Sequence, residues 1–333
     1  MMLYDGLRPP SPLDPSAAGY KEWLHVNVLH HESGIVGLIN VSLHGPPMNP
    51  RSRALGTALF HVPAVGWVGN IEVGGLEEAA VGPASIRMQR VALAVDALAG
   101  EVMASVLDRA NGVVVRSRAT PAAAPVPVEW SLPLGHGWIS WYVVPRLTLK
   151  GAWTVADRRM DLEAASAYYD HNWGRWHWGD DLGWEWGCFL TPAPGPGFVM
   201  SRVTDRAHRV LGAPSLLVTA GGRRWMFDGP AVELDYRDAL EVTPRRVPGA
   251  MAALHQDRAH PPLPRRLRID ANNGIDRIAV EFSGQAAAQV VAADPIVRGY
   301  GFIHEIAGQF TCSGRLGGAD VAGAGLGMLE HVD

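Results

Sequence analysis

The chain is poor in cysteine, with only Cys188 and Cys312 among 333 residues. Neither belongs to a Cys-x-x-Cys pair, which excludes a zinc ribbon or a dithiol redox centre. Such sparse thiols suit a reducing compartment, and a cytoplasmic protein is expected. A basic excess is also lacking: 29 Lys and Arg face 33 Asp and Glu, for a net charge of −4. Nucleic acid and anionic membrane surfaces therefore gain no support as partners. No apolar run approaches the ~20 residues of a membrane span. The opening MMLYDGLRPPSP lacks a basic region followed by an apolar one, so no export signal is expected. Any membrane contact would be loose, for substrate access.

Cofactor signatures are missing as well. GYGFIH and GLGMLE each lack the last glycine of a dinucleotide fingerprint, and neither sits in a strand–helix context. There is no phosphate-binding P-loop and no Gly-x-Ser-x-Gly elbow. HEIAG (304–308) begins like a zinc-protease helix but has Gly308 where the second histidine belongs. Nicotinamide, nucleotide and serine-hydrolase chemistry are thereby disfavoured, flavin has no positive signal, and no cofactor or metal is expected.

What is present is glycine (38), proline (25) and apolar residues (47%), spread along the whole chain. That pattern suits many short strands joined by turns, and the length suits two domains. Residues 1–19 read as a poorly ordered, proline-rich arm. KEWLHVNVLHHESGIVGLINVSLHG (21–45) reads as a hairpin turning at HESG, and DANNG (270–274) as another hairpin turn. The segment 86–118 has the Ala and Leu content of a helix, but its glycines and VVV run favour strands. The expected fold is all-β, with two lipocalin-like barrel or sandwich domains side by side, 20–180 and 181–333.

The densest chemistry lies at 167–190, AYYDHNWGRWHWGDDLGWEWGCFL. Five of the twelve tryptophans fall here: Trp173, Trp176, Trp178, Trp184 and Trp186. Trp176/Trp178 and Trp184/Trp186 are spaced by two, so on strands each pair shares a face. Flanking GDDLG, they would form a hairpin with an aromatic wall for an apolar small molecule. The competing reading is bulky packing between domains. Upstream, His136, Trp138 and Trp141 are candidates to join the wall, and Glu305 is a candidate pocket carboxylate from the second domain.

Asp170 sits among aromatics. Apolar surroundings disfavour the charged carboxylate and so favour a general acid. Tyr168, two residues earlier on the same face, is placed to orient it, and His171 is a further catalytic candidate. The alternatives are an Asp170 that holds a turn and a His171 that is merely structural. Asn172 reads as a turn former. His177, Asp180 and Asp181 match no closed metal site.

These residues resemble the AttH/carotenoid 1,2-hydratase family, also called hydroxyneurosporene synthase. The likeness rests on EWLHVNV (22–28), WYVVPRLTLKGAWTV (141–155), YYDHNWG (168–174) with GWEWGCFL (183–190), and VRGYGFIHEIAG (297–308). It implies two lipocalin-like domains and a ligand cavity. It also implies a range of chemistry: acid-catalysed hydration of an isoprenoid double bond, ring closure by alkene protonation, or templated pericyclic cyclisation of polyenes. By this resemblance the motif aspartate is Asp170 and its tyrosine Tyr168, whereas the hydratase His-x-Trp is matched only loosely by His136 and Trp138. The expected activity is a cofactor-independent hydratase or cyclase acting on a large hydrophobic polyene or isoprenoid, with a pericyclase or a non-catalytic binding protein as alternatives.

Overall fold

The computed structural model describes residues 5–11, 14–247, 262–297 and 299–333. Among them no α-helix forms, and only four short 3-10 turns interrupt the strands. The strands are β1 (Tyr20–His30), β2 (Ile35–His44), β3 (Arg53–Val62), β4 (Gly66–Gly75), β5 (Ala80–Gly82), β6 (Ser85–Arg87), β7 (Val91–Asp96), β8 (Glu101–Asp108), β9 (Val113–Pro121), β10 (Val126–Leu134), β11 (Gly137–Val155) and β12 (Arg158–Arg175). They continue as β13 (Gly183–Leu190), β14 (Gly197–Thr204), β15 (Ser215–Ala220), β16 (Arg223–Asp228), β17 (Val232–Ala239), β18 (Arg245–Val247), β19 (Pro264–Asn272), β20 (Arg277–Ala293), β21 (Tyr300–Leu316) and β22 (Ala319–Val332). No helix among the described residues is long and apolar enough to cross a membrane.

The segment 86–118 is strand, as its turn residues suggested. Val91, Leu93 and Val95 are buried in alternation with less buried neighbours, and Val102, Ala104 and Val106 repeat the pattern. Gly112 closes the turn into β9 at φ 73°, a left-handed conformation that glycine adopts without strain. Alternation at period two overrides the helix propensity of Ala and Leu, because each strand has a face to bury.

The chain divides into two compact units. One comprises Met1–Val28, Gly37–Asp180 and Ala292–Gly301, and the other Leu29–Val36, Asp181–Val291 and Phe302–Asp333. The first sheet runs in the order β4-β3-β2-β1-β12-β11-β9-β8-β7-β6-β5, with β10 paired to β11. The second runs β16-β15-β14-β13-β22-β21-β20-β19-β17, with β18 paired to β20. In each sheet an early strand pairs with a late one: β1 with β12, and β13 with β22. The second unit packs Phe189, Phe198, Phe227, Phe282, Ile306 and Phe310 into one apolar core.

The expected hairpin across GDDLG does not form. β12 ends at Arg175, Trp176 and Trp178 lie in irregular chain, and β13 pairs with β14 and β22 instead. GDDLG carries the chain from one sheet to the other, a connection that local turn chemistry cannot distinguish from a hairpin loop. The expected arm also differs from its reading. Residues 1–4 and 12–13 lie outside the described residues, but Pro15–Gly19 forms a 3-10 turn capped by Asp14, and Asp5 is buried against β12.

Candidate functional site

β11 and β12 pair in antiparallel register, with Val143 opposite Asp170, Trp141 opposite Asn172 and Ile139 opposite Gly174. Alternation therefore puts Tyr168, Asp170, Asn172 and Gly174 on one face, beside Trp141. Tyr168 Oη lies 2.8 Å from Asp170 Oδ2, and the Asn172 amide donates to Oδ1. All three side chains are buried. The Asn172 N–H can only donate, so Oδ1 is an acceptor in every protonation state. The hydroxyl of Tyr168 can donate or accept, so Oδ2 is the oxygen able to carry a proton. Asn172 is thus mid-strand and holds the carboxyl; it does not shape a turn.

Trp176 belongs to this side. Its ring edge passes so close to Gly174 that a Cβ there would meet Trp176 at 2.7 Å and the Trp138 carbonyl at 2.2 Å. Only glycine permits that approach. Trp176 packs edge-on against Trp23 at 5.5 Å and Trp178 at 6.2 Å. Alternation from Glu22 places His25 and Asn27 of β1 on the Asp170 face too. His25 is held by Asn27 at Nε2 and by the Asn40 amide at Nδ1, and burial pushes its pKa down to about 4, so it is a neutral imidazole.

The opposite face of β12 carries Tyr169, His171 and Trp173. His171 Nδ1 meets Asp5 Oδ1 at 2.6 Å and its Nε2 meets Glu22 Oε1 at 2.7 Å, all within side chains at most 1% exposed. Tyr169 Oη donates to the other Asp5 oxygen. Arg8 donates its backbone N–H to Glu22 and stacks its guanidinium 4.0 Å over Trp173. Trp138 lies on this face as well, beneath Arg175. Burial disfavours the His171 imidazolium, but the hydrogen bonds it donates to Asp5 and Glu22 win, raising its pKa to about 9. His171 is therefore a charged structural clamp between the amino-terminal segment and two strands.

A second clamp involves Lys21, fully buried, whose ammonium donates to the Trp176 carbonyl at 2.6 Å and to Asp294 at 3.0 Å. His177 approaches the same Asp294 oxygen. His136 sits at the β10–β11 turn, 88% exposed, contacting Asp180.

In the second unit, Trp184 and Trp186 share a face of β13, as their spacing required. Trp186 stands opposite Glu330 of β22, which stands opposite Glu305 of β21. The other face of β13 carries Glu185, bound by Arg202 at 2.7 Å, Tyr236 at 2.8 Å and His208 at 3.0 Å. Burial opposes ionisation of Glu185, but the His208 and Arg202 contacts prevail and lower its pKa. Glu185, His208 and His331 each bring a possible ligand atom within 4.8 Å of one another. Yet the two imidazoles stack at 3.7 Å with planes 13° apart. An ion lies in the plane of each imidazole that binds it, and two nearly parallel, separated planes offer no shared position. His208 also uses both nitrogens, on Glu185 and on the Val332 carbonyl. This arrangement is a hydrogen-bonded ion pair.

The expected residues are thus divided. Tyr168, Asp170, Trp141 and Trp176 come together on one side of the first sheet; His171, Trp138 and Trp173 occupy its other side. Trp184, Trp186 and Glu305 belong to the second unit, and His136 is at a surface turn. The sequence reading missed Asn172, Asp5, Glu22 and Glu330. For Asn172 the signal was the i, i+2 spacing from Asp170; the others have partners distant in sequence.

No family model and no curated protein sequence matches the chain. Solved structures do. A protein provisionally named AttH from Nitrosomonas europaea superposes with a TM-score of 0.67 at 13% identity, over 98% of this chain and 99% of that one. Kievitone hydratase from Nectria haematococca gives 0.61 at 11% identity, over 95% of this chain and 90% of that one. CghA with Sch210972 gives 0.60 at 12% identity, over 95% of this chain and 89% of that one. At such identities the likeness establishes the fold: the architecture expected of the AttH-like lipocalin group is present along nearly the whole chain.

Proposed function

We propose that the protein is a cofactor-independent hydratase or cyclase acting on a large apolar polyene or isoprenoid, with Asp170 as proton carrier. The observation that carries this reading is the buried Tyr168–Asp170–Asn172 row. Asn172 pins one carboxyl oxygen, leaving the proton to the oxygen that faces Tyr168. The proton passes from Asp170 through the Tyr168 hydroxyl to one alkene carbon, so a C–H bond forms as the π bond breaks. The aromatic faces of Trp141 and Trp176 stabilise the cation by cation–π attraction. Water or an internal nucleophile takes the cation, and the released proton returns to Asp170. The fold shared with kievitone hydratase is consistent with this chemistry. Trp141 and Trp176 are the residues proposed to contact substrate on that face, and a cytoplasmic location accords with the thiol content.

The test uses geranylgeraniol and lycopene in deuterated water, with product mass and carbon-bound deuterium as readouts. Asp170→Asn keeps shape and most hydrogen bonding, and turnover is expected to fall ~10²–10⁴-fold, the usual loss of a general acid. The thermal midpoint should hold, since a neutral amide is no costlier to bury than a carboxylate. Near-native turnover by that variant rejects the acid and favours a pocket that only templates a cyclisation, as a pericyclase does.

A further inference from the structure

Asp5 brings a carboxylate into a socket that the strands of the first unit build. His171 of β12 meets one of its oxygens at 2.6 Å, and the Tyr169 hydroxyl donates to the other at 2.5 Å. Glu22 of β1 holds the far side of the imidazole at 2.7 Å, so the ring is oriented whether or not Asp5 is in place. The His171 and Asp5 side chains are at most 1% exposed. An imidazolium on one oxygen and a hydroxyl on the other make a charge-assisted grip that fits any carboxylate. Nothing in it reads the chain that carries the group.

The segment that carries Asp5 is lightly held. Residues 5–11 belong to no strand; Gly6 and Leu7 are half-buried, and Arg8, Pro9 and Ser11 are exposed. Leu7 donates its N–H to the Pro83 carbonyl, and Arg8 donates its own to Glu22. Irregular chain with little burial opens locally at low free energy. Where it lies, it covers aromatic surface: the Arg8 guanidinium sits 4.0 Å over Trp173, and Tyr142 stands opposite His171 on β11. Lifting the segment uncovers a cation and a hydroxyl beside an aromatic ring.

We propose that this socket is a binding site for an apolar monocarboxylate, with Asp5 as the occupant that the chain supplies to itself. The carboxylate of the ligand takes the place of Asp5 on His171 and Tyr169, and its apolar body takes the place of Arg8 against Trp173. One carboxylate replaces another, so the buried charges stay balanced. An alcohol brings no charge to the imidazolium and an amine brings the wrong one, and either leaves a buried cation without its partner. The site lies on the face of β12 opposite Asp170, so the inference goes beyond the proposed reaction and does not depend on it.

Two truncations test the socket by size. Asp5→Ala removes a formate-sized group and Asp5→Gly an acetate-sized one. Formate should restore the denaturant midpoint of the first and acetate that of the second, whereas chloride at equal ionic strength should restore neither. Hexanoate, hexanol and hexylamine then test the ligand class, titrated by tryptophan fluorescence. Hexanoate is expected to bind Asp5→Gly at least ~tenfold tighter than the native protein, where it must displace Asp5, the gain expected of charge-assisted hydrogen bonds. Hexanol and hexylamine should show no such difference. In the native protein, which needs no variant to fold, saturating hexanoate should speed hydrogen exchange at the Leu7 amide, because its bond to Pro83 opens as the segment leaves. Failure of both carboxylates to restore stability, equal responses to hexanoate and hexanol, or Leu7 exchange unchanged by hexanoate overturns the proposal. None of these readouts involves turnover, so failure of Asp170 as an acid leaves them untouched, and their failure leaves the Asp170 test standing.

Discussion

Nδ1 of His171 stands 2.6 Å from Oδ1 of Asp5, a residue 166 positions earlier in the chain. With Glu22 on the other ring nitrogen, the imidazolium is held between two fully buried carboxylates. Breaking a buried ion pair from one side leaves an uncompensated charge. Asp5→Ala is therefore expected to lower stability by about 3–5 kcal/mol, read as a lower denaturant midpoint at neutral pH. An unchanged midpoint would show that Glu22 alone suffices.

The same residue sets an alkaline limit. His171 has its pKa raised from 6.5 to about 9 in the folded protein. Its contribution is complete below pH 6.5, where folded and unfolded forms are both protonated, and is lost as pH rises through 9. The shift corresponds to about 3 kcal/mol. Unfolding titrations between pH 6 and 10 should show this decline, and His171→Gln should flatten it.

On the acid side the sign reverses. Burial lowers the pKa of His25 to about 4 and of His44 and His331 to about 3. All three are neutral in both states above pH 6.5. As pH falls below that value the unfolded chain takes up protons that the folded protein refuses, so stability drops. His25 alone accounts for about 3 kcal/mol by pH 4. The expected result is a falling thermal midpoint from pH 6.5 to 4, smaller in His25→Gln; a flat profile would contradict the burial of these rings.

Tyr168→Phe removes the hydroxyl facing Asp170 while preserving the ring. In the proposed relay that hydroxyl delivers the proton to the alkene, so turnover should fall ~10²–10⁴-fold, the usual loss of a general acid. The pH–rate profile should also shift, because the group that passes the proton on is gone. A rate loss without a profile shift would assign Tyr168 to packing alone.

Much of the fold was legible because burial at period two is written locally. The 86–118 segment shows it: Val91, Leu93 and Val95 alternate as a strand must, whatever the Ala content suggests. The same rule placed Tyr168 beside Asp170 and Trp184 beside Trp186. What failed was pairing. Nothing local tells GDDLG from a hairpin loop, since the choice depends on whether β13 finds β12 or β22. Nor does the sequence around His171 reveal Asp5, or that around Glu305 reveal Glu330, because strand register brings them together only once the sheets exist. The partners of the proline-rich start escaped for the same reason: nothing in its local sequence points to the charge buried in β12 that Asp5 meets.

The pairing of β1 with β12 fixes a sequence of events as well as a shape. During synthesis the first hairpin emerges with one long edge open, and its hydrogen-bonding partner is not made until residue 175 has left the ribosome. The second sheet repeats the delay, with β13 waiting for β22. Contacts so far apart in the chain make folding slow, and an open, apolar strand edge is a template for the wrong neighbour. The nascent protein is therefore most prone to aggregate between completion of β1 and completion of β12, an interval set by topology alone.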